Sequence, residues 1–382
     1  MEGFDSNYIP GWDCHGLPIE WQIEQQYRKK GINKDQIKIK EFRKECRIFA
    51  EKWVSIQMES FKRLFVLGDW EHPYLTMTYE AESTIVEELG KFLMNGTLYR
   101  GAKPVMWSPI EKTALAEAEI EYKDITTKAI YVMFELECLD TKEEQETYAI
   151  IWTTTPWTIP ANRALAYNKD IEYVVYNIAE SENTKLINKN VLIAEEQANL
   201  VFEKCKISKW KKIRSIKGYE LEGSSCKHPF ISKGYDYKVP FLHADFVKLG
   251  QGTGIVHIAP AHGEDDFDLG KKEKLPIIDV ISNNGTYVDE LPFFSGIHVF
   301  KADSIVIDEL DGLNLLLGIE DYIHSYPHSW RSKKPIIFRS TPQWFIEMNE
   351  SNLRENAIEE VDNTNWIPKN SKNRIRSMLI NR

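Results

Sequence analysis

Three hydroxyls in a row, Thr153, Thr154 and Thr155, end an apolar run and are followed at once by Pro156. Threonine carries a donor and acceptor on a stiff, β-branched stem, which suits it to hold a water and to shape a small cavity. In a regular strand Thr153 and Thr155 share a face and Thr154 points the other way. All three line one pocket only if the chain kinks at Pro156. The plain alternative is a β-branched strand end. Further along, GTGIVHIAPAHGEDDFDLG puts His257 on a strand, with His262, Glu264, Asp265, Asp266 and Asp268 in the loop and helix start behind it. Three readings stand side by side. The acids can cap a helix N-terminus, where the dipole favours negative charge. The His and Asp groups can hold a metal, although their spacing matches no metal motif. Or one ionised Asp can reach into a pocket and clamp an ammonium.

A second constellation lies near the start. GWDCHGLPIE combines Gly11, Gly16 and Pro18 with Asp13, His15 and Glu20. Glycine and proline fix a tight backbone path, and an aspartate on such a turn can meet a cation. Asp and His can equally satisfy local backbone groups. A third stretch, 204–219 (KCKISKWKKIRSIKGY), interleaves Lys204, Lys206, Lys209, Lys211, Lys212, Arg214 and Lys217 with Trp210 and Tyr219. It reads either as a backbone track for RNA with base stacking or as a solvated hairpin face.

The elements that must position these groups are legible in outline. Phe42, Cys46, Phe49, Trp53 and Ile56 recur at helical spacing, with Gly68 as the stop. A second helix covers residues 79–94, with Ile85, Val86, Leu89, Phe92 and Leu93 inward and Asn95-Gly96 behind it. KPVMWSP and ALAEAEIEY read as short strands around a turn. From 126 to 322 the texture is β-rich: AIYVMFELE, TYAIIWTTT, RALAYN, EYVVYNIA and GTGIVHIA are apolar runs between turn signals, with a helix near AEEQANLVFEKC. Beyond 325 the chain is aromatic, basic and loop-like, then helical. That order, α/β then β-rich then α/β, is what an insertion into a host domain gives.

The chain has 382 residues, 42% hydrophobic and 28% charged, so it builds real cores and divides into two or three domains. The net charge of −10 argues against a protein coated in nucleic acid but leaves room for a local basic track. Five scattered cysteines, Cys14, Cys46, Cys138, Cys205 and Cys226, with no CxxC pair, give neither a disulfide framework nor a cysteine zinc knuckle. They favour a reducing compartment. There is no signal-peptide pattern and no apolar run long enough to span a bilayer.

GWDCHGLPIE resembles the segment behind the ATP-binding signature of isoleucyl-tRNA synthetases, and WTTTPWTIPANRALAYN and GTGIVHIAPAHGEDDFDLG resemble the two signature segments of that family's editing domain. Valyl and leucyl relatives carry an Arg after two threonines, where this chain has Thr155-Pro156. The resemblance implies a fragment of a Rossmann-type class I catalytic domain (1–125 and 323–382) with an inserted β-barrel-like editing domain (126–322). It implies that the full-length enzyme activates isoleucine with ATP and Mg2+ and charges tRNA(Ile) in the cytoplasm as a monomer. The editing site needs no cofactor and hydrolyses mischarged valyl-tRNA(Ile). Asp13, with His15 and Gly16, then binds the substrate ammonium in the synthetic site. Asp266 grips the ammonium of the mischarged amino acid. His257 and Thr153, Thr154 and Thr155 bound the pocket and the attacking water. Trp157 packs its wall, and Asn162 supports the loop or the terminal adenosine. Trp330, Arg331, Arg339, Gln343 and Trp344 become framework at the return to the host domain. The HIGH-type and KMSKS-type signatures are expected before and after this stretch, so the chain itself is expected to edit and not to aminoacylate. The alternatives are a non-catalytic tRNA-binding remnant and the editing domain of a valyl or leucyl relative.

Overall fold

The computed structural model describes residues 7–137 and 146–381; Cys138 lies outside them. The chain divides into two compact units, one formed by 1–101 and 343–382 and the other by 102–342.

The first unit opens with β1 (Gly11–Trp12), which pairs in parallel with β2 (Tyr74–Leu75). Between them run α1 (Leu17–Lys29) and α2 (Ile39–Arg63), and after them α3 (Tyr79–Met94). The expected helical face on α2 is only partly inward. Ala50 and Val54 are buried, while Trp53 and Ile56 are more than 40% exposed. Nor does α2 wait for Gly68 to stop. Phe65 takes a left-handed conformation (φ 61°), and its N–H and that of Val66 turn back to the Lys62 and Phe61 carbonyls. That is a Schellman closure built on a non-glycine residue. The α3 helix has the expected span, and Thr78 caps it by accepting the Ala81 N–H. Its apolar side is nevertheless open: Ile85, Val86, Leu89 and Leu93 are exposed, and Ala81 is its buried residue. The core here is small, built on Cys14, Ala50, Val54 and Met77.

β3 (Leu98–Ser108) leads into the second unit, where β4 (Thr113–Ala114) turns back on it. The long β5 (Ile120–Glu135) and then β6 (Thr147–Thr153), β7 (Ala164–Tyr167), β8 (Glu172–Ser181), β9 (Asn190–Ala194) and β10 (Ile207–Lys217) follow, with α4 (Glu195–Lys204) before β10. β11 (Ser225–Lys227), β12 (Lys238–His243) and β13 (Val256–Ile258) precede α5 (Glu264–Lys272) and α6 (Val299–Gly312). β14 (Leu316–Ser329) and β15 (Ile337–Ile346) close the unit, and α7 (Leu353–Asn363) and α8 (Ser371–Asn381) return to the first.

Two sheets carry the second unit. One has six strands in the order β10-β8-β9-β6-β5-β14, and the other has four in the order β11-β12-β7-β13. The near-continuous apolar runs are explained by burial on both faces. Ile130, Val132 and Phe134 of β5 point into one core with Ala149 and Ile151 of β6, while Tyr131, Met133, Tyr148 and Ile150 point into the other. The first core is completed by the four-stranded sheet and by Val299, Ala302, Val306 and Leu310 of α6, and the second by Ala198, Val201 and Phe202 of α4. The ladders stay open: among the described residues no pairing joins β10 to β14, and no closed barrel is found. The compact unit also reaches beyond the β-rich 126–322 texture, because β5 and β14 pair, with one bulge between Leu316 and Gly318, from Val132↔Leu316 out to Ile120↔Ser329.

Candidate functional site

The threonine run sits where β6 stops being a strand. Thr153 is its last residue, and its Oγ1 accepts the Thr155 N–H at 3.1 Å, a local turn that competes with strand pairing. Thr155 leaves the extended region (φ −126°, ψ 73°), and Pro156 opens a short 3-10 turn, Pro156–Ala161. Proline is favoured there because the first N–H of a helical turn has no partner to lose. The kink lets all three threonines face one cavity of about 310 Å³, together with Thr158, His257, His262 and Asp266. Lys248 and the loop Gln251, Gly252, Thr253 and Gly254 form its other side. Gly252 lies 3.7 Å from Trp152 for a built Cβ, at a φ of 74° that other residues rarely take.

The hydroxyls and His257 form one directed chain. Asn162 Nδ2 reaches both the Ala164 carbonyl (2.9 Å) and His257 Nδ1 (2.7 Å). Only the amide nitrogen can serve a carbonyl, so Nδ1 of His257 is the acceptor and Nε2 bears the hydrogen. Nε2 therefore donates to Thr158 Oγ1 at 3.0 Å, and Thr158 donates onward to the Thr155 carbonyl at 2.9 Å. With that hydrogen committed, the Thr155 hydroxyl is the donor to Thr158 (3.4 Å) and Thr153 the donor to Thr155 (3.3 Å), both long contacts. Thr154 takes no part in this chain and lines the cavity. Burial pushes the His257 pKa down to about 3, so the ring is neutral and both nitrogens are spoken for.

Asp266 stands in the first turn of α5 and lines the cavity. Its Oδ2 accepts the Ala259 N–H at 2.7 Å. Burial raises its pKa to about 7, against the lowering effect of that hydrogen bond. A carboxylate so poorly solvated gains more from an incoming cation than an exposed one does. His262 donates from Nδ1 to the Phe338 carbonyl at 2.9 Å, which leaves Nε2 as a buried acceptor without a partner among the described residues. Burial lowers its pKa as well.

The remaining expected residues separate. Trp157 is buried behind the cavity with its ring edge-on to His262 at 5.2 Å. Asn162 has no exposed surface, so it acts through His257 and does not touch a ligand. Asp13 and His15 are exposed on the turn into α1, and Gly16 caps that helix at φ 88°. None of these three lines the cavity. The 204–219 stretch runs from the end of α4 through β10, and its cations meet glutamates: Lys204 with Glu320, Lys206 with Glu182, Lys209 with Glu180, Lys212 with Glu195 and Lys217 with Glu172. Trp210 packs on Phe202. The lysine run is therefore largely neutralised by neighbouring acids rather than a bare basic track. Arg339 is framework, buried with Asp279 and Asn283 and stacked over Trp107. Among the described residues no group of three His, Cys, Asp or Glu could hold a metal ion. Thr158 was the member of the site that residue types alone did not single out. Its signal was its place in the turn, three residues after Thr155.

Over residues 1–382 the sequence matches the family described as tRNA synthetases class I (I, L, M and V). It is 51% identical to the isoleucine–tRNA ligase of Pelagibacter ubique over 379 residues, 99% of this chain and 42% of that protein. It is 47% identical to that of Gluconobacter oxydans over 395 residues, 99% of this chain and 41% of that one. The chain thus spans about two fifths of the length of these relatives. The P. falciparum cytosolic leucyl-tRNA synthetase editing domain aligns with a TM-score of 0.38 and 10% identity, over 52% of this chain and 99% of that one.

Proposed function

The chain belongs to the class I tRNA synthetase family (I, L, M and V), and from that premise we propose that it carries the editing site of an isoleucine–tRNA ligase, which hydrolyses valyl-tRNA(Ile). The observation that carries the reading is the single cavity that joins Thr153, Thr154, Thr155, His257 and Asp266. The same reading makes 1–125 and 323–382 parts of a Rossmann-type host and 126–322 its inserted editing domain, with Asp13, His15 and Gly16 belonging to the synthetic site.

Valine lacks one methylene of isoleucine, so a pocket that accepts isoleucine cannot shut valine out; this pair is itself the standard illustration of that limit. A second, smaller cavity solves the problem by admitting valine and rejecting isoleucine by size. The reaction is attack of water on the ester between the amino acid and the terminal ribose. Asp266 holds the α-ammonium, which fixes the ester carbonyl over the threonines. The Thr154 hydroxyl, outside the chain, is free to donate to the developing oxyanion, and the fixed oxygens of Thr153 and Thr155 orient the water. Neutral His257 anchors that chain by donating to Thr158 and takes no proton itself, because Asn162 occupies its lone pair. No acyl-enzyme is involved. ATP and Mg2+ belong to charging by a full-length ligase, and no step here is routed through them.

The test is release of valine from valyl-tRNA(Ile) by the purified chain, beside isoleucyl-tRNA(Ile). Selective release of valine is expected, and Asp266→Ala should slow it roughly 10²–10³-fold, the scale of losing one preorganised charge contact. Equal hydrolysis of both substrates, or full activity in the variant, would sink the reading.

A further inference from the structure

The turn that carries Thr155 and Thr158 has a defect written into its sequence. In the 3-10 turn Pro156–Ala161, the Trp157 N–H lies too early to find a partner within the turn. The Trp157 carbonyl would accept from residue 160, but that residue is Pro160 and has no N–H. Both backbone polar groups of Trp157 are thus orphaned in a buried place, where leaving one unpaired costs about 1–3 kcal/mol. Two distant side chains fill the gap. Asp303 of α6 accepts the Trp157 N–H on Oδ1 at 2.9 Å, and the Tyr287 hydroxyl donates to the Trp157 carbonyl at 2.5 Å. Tyr287 is fully buried, and burial raises the Asp303 pKa to about 6. Neither residue lines the cavity.

We propose that Asp303 and Tyr287 are positioning residues for hydrolysis, a clamp on the Trp157 backbone that holds Thr155 and Thr158 in line with His257. The inference rests on the editing reading for the reaction, but not for the clamp. Thr155 lies two residues before the clamped position and Thr158 directly after it. With the clamp released, the Thr155 carbonyl no longer meets the Thr158 hydroxyl, and the chain from Thr153 to His257 loses its middle. A shift of this size, far from the chemistry, degrades turnover more than binding, because the ammonium grip of Asp266 is on another element.

Two readouts test the clamp, one of them independent of activity. In steady-state hydrolysis of valyl-tRNA(Ile), Asp303→Ala should lower kcat about 10–100-fold while KM moves less than about threefold. Asp303→Asn keeps an acceptor oxygen and should stay within about threefold of the parent. Independently, the His257 Nε2 proton should exchange with solvent at least about tenfold faster in Asp303→Ala than in the parent, followed by NMR of the imidazole signals. Parent-like kcat and exchange in Asp303→Ala would overturn the clamp, as would an Asp303→Asn variant that falls as far as the alanine. If the parent chain hydrolyses nothing, the editing reading fails and proton exchange alone decides the clamp. If Asp303→Ala does not fold, Tyr287→Phe, which removes one hydroxyl, is read by the same criteria.

Discussion

Two strand-and-helix regions with similar apolar patterning meet different fates in this molecule. In the second unit β5 carries Ile130, Tyr131, Val132, Met133 and Phe134 in unbroken succession, and all five are buried, alternately in two cores. In the first unit α3 carries Ile85, Val86, Leu89 and Leu93, and all four are exposed. Periodicity states which residues could face a core; it does not supply the surface that covers them. Unit two has sheets and helices on both sides of its strands, so its apolar pattern is consumed. Within the described residues, α3 has nothing over its apolar side. The site follows the same division: the cavity and the hydroxyl chain lie within the unit whose core is closed.

The largest effect expected from this contrast is in the core. Phe134→Ala removes a fully buried ring between the two sheets and should cost about 3–5 kcal/mol in chemical denaturation. A loss below about 1 kcal/mol would mean the second unit is far looser than its packing. Next comes Asp266→Ala, whose hydrolytic defect, set out above, corresponds to about 3–4 kcal/mol of transition-state stabilisation. Asp266→Asn separates function from fold at the same position. Its folded pKa of about 7 is raised above the ordinary carboxylate value, so the native carboxyl holds its proton longer than the unfolded one. Native stability therefore falls as pH rises from about 4 to 7, and above 7 the folded chain bears the full cost of a buried charge. The Asn variant should thus be more stable than the parent by about 1–2 kcal/mol at pH 8, with the difference gone by pH 4, while its hydrolysis is lost. Thermal melts at the two pH values check this, and an equally destabilised variant at pH 8 would contradict it. The smallest effect is on α3, where Leu93→Ser should change stability by no more than about 0.5 kcal/mol. A cost near that of Phe134→Ala would show that this face is covered in solution.

Much of the site was legible before any coordinates. The threonine run, His257 and Asp266 are near in type to what an ester hydrolysis needs, and the need for a kink at Pro156 follows from the two-residue period of a strand. The structure places the bend slightly earlier, since Thr153 Oγ1 captures the Thr155 N–H before proline acts. Thr158 and Asp303 were not legible in this sense. Thr158 matters because a histidine ninety-nine positions away points at it, and Asp303 because the Trp157 N–H lies too early in its turn to find a partner there. The lysine-rich stretch left two readings open in the sequence, because the glutamates that pair with it come from β8 and the residue behind it, from α4 and from β14.

By itself the sequence determined what local chemistry determines: apolar strands too continuous for a one-sided sheet, a threonine run that proline prevents from continuing as strand, acids gathered in the first turn of a helix. Each depends on neighbours along the chain. Only the tertiary structure decided which apolar faces find cover, which lysines are paired with an acid, and which tautomer His257 holds. Those outcomes depend on groups brought together from distant positions, where burial and a single hydrogen-bond partner set the protonation state, and no spacing along the chain encodes that encounter.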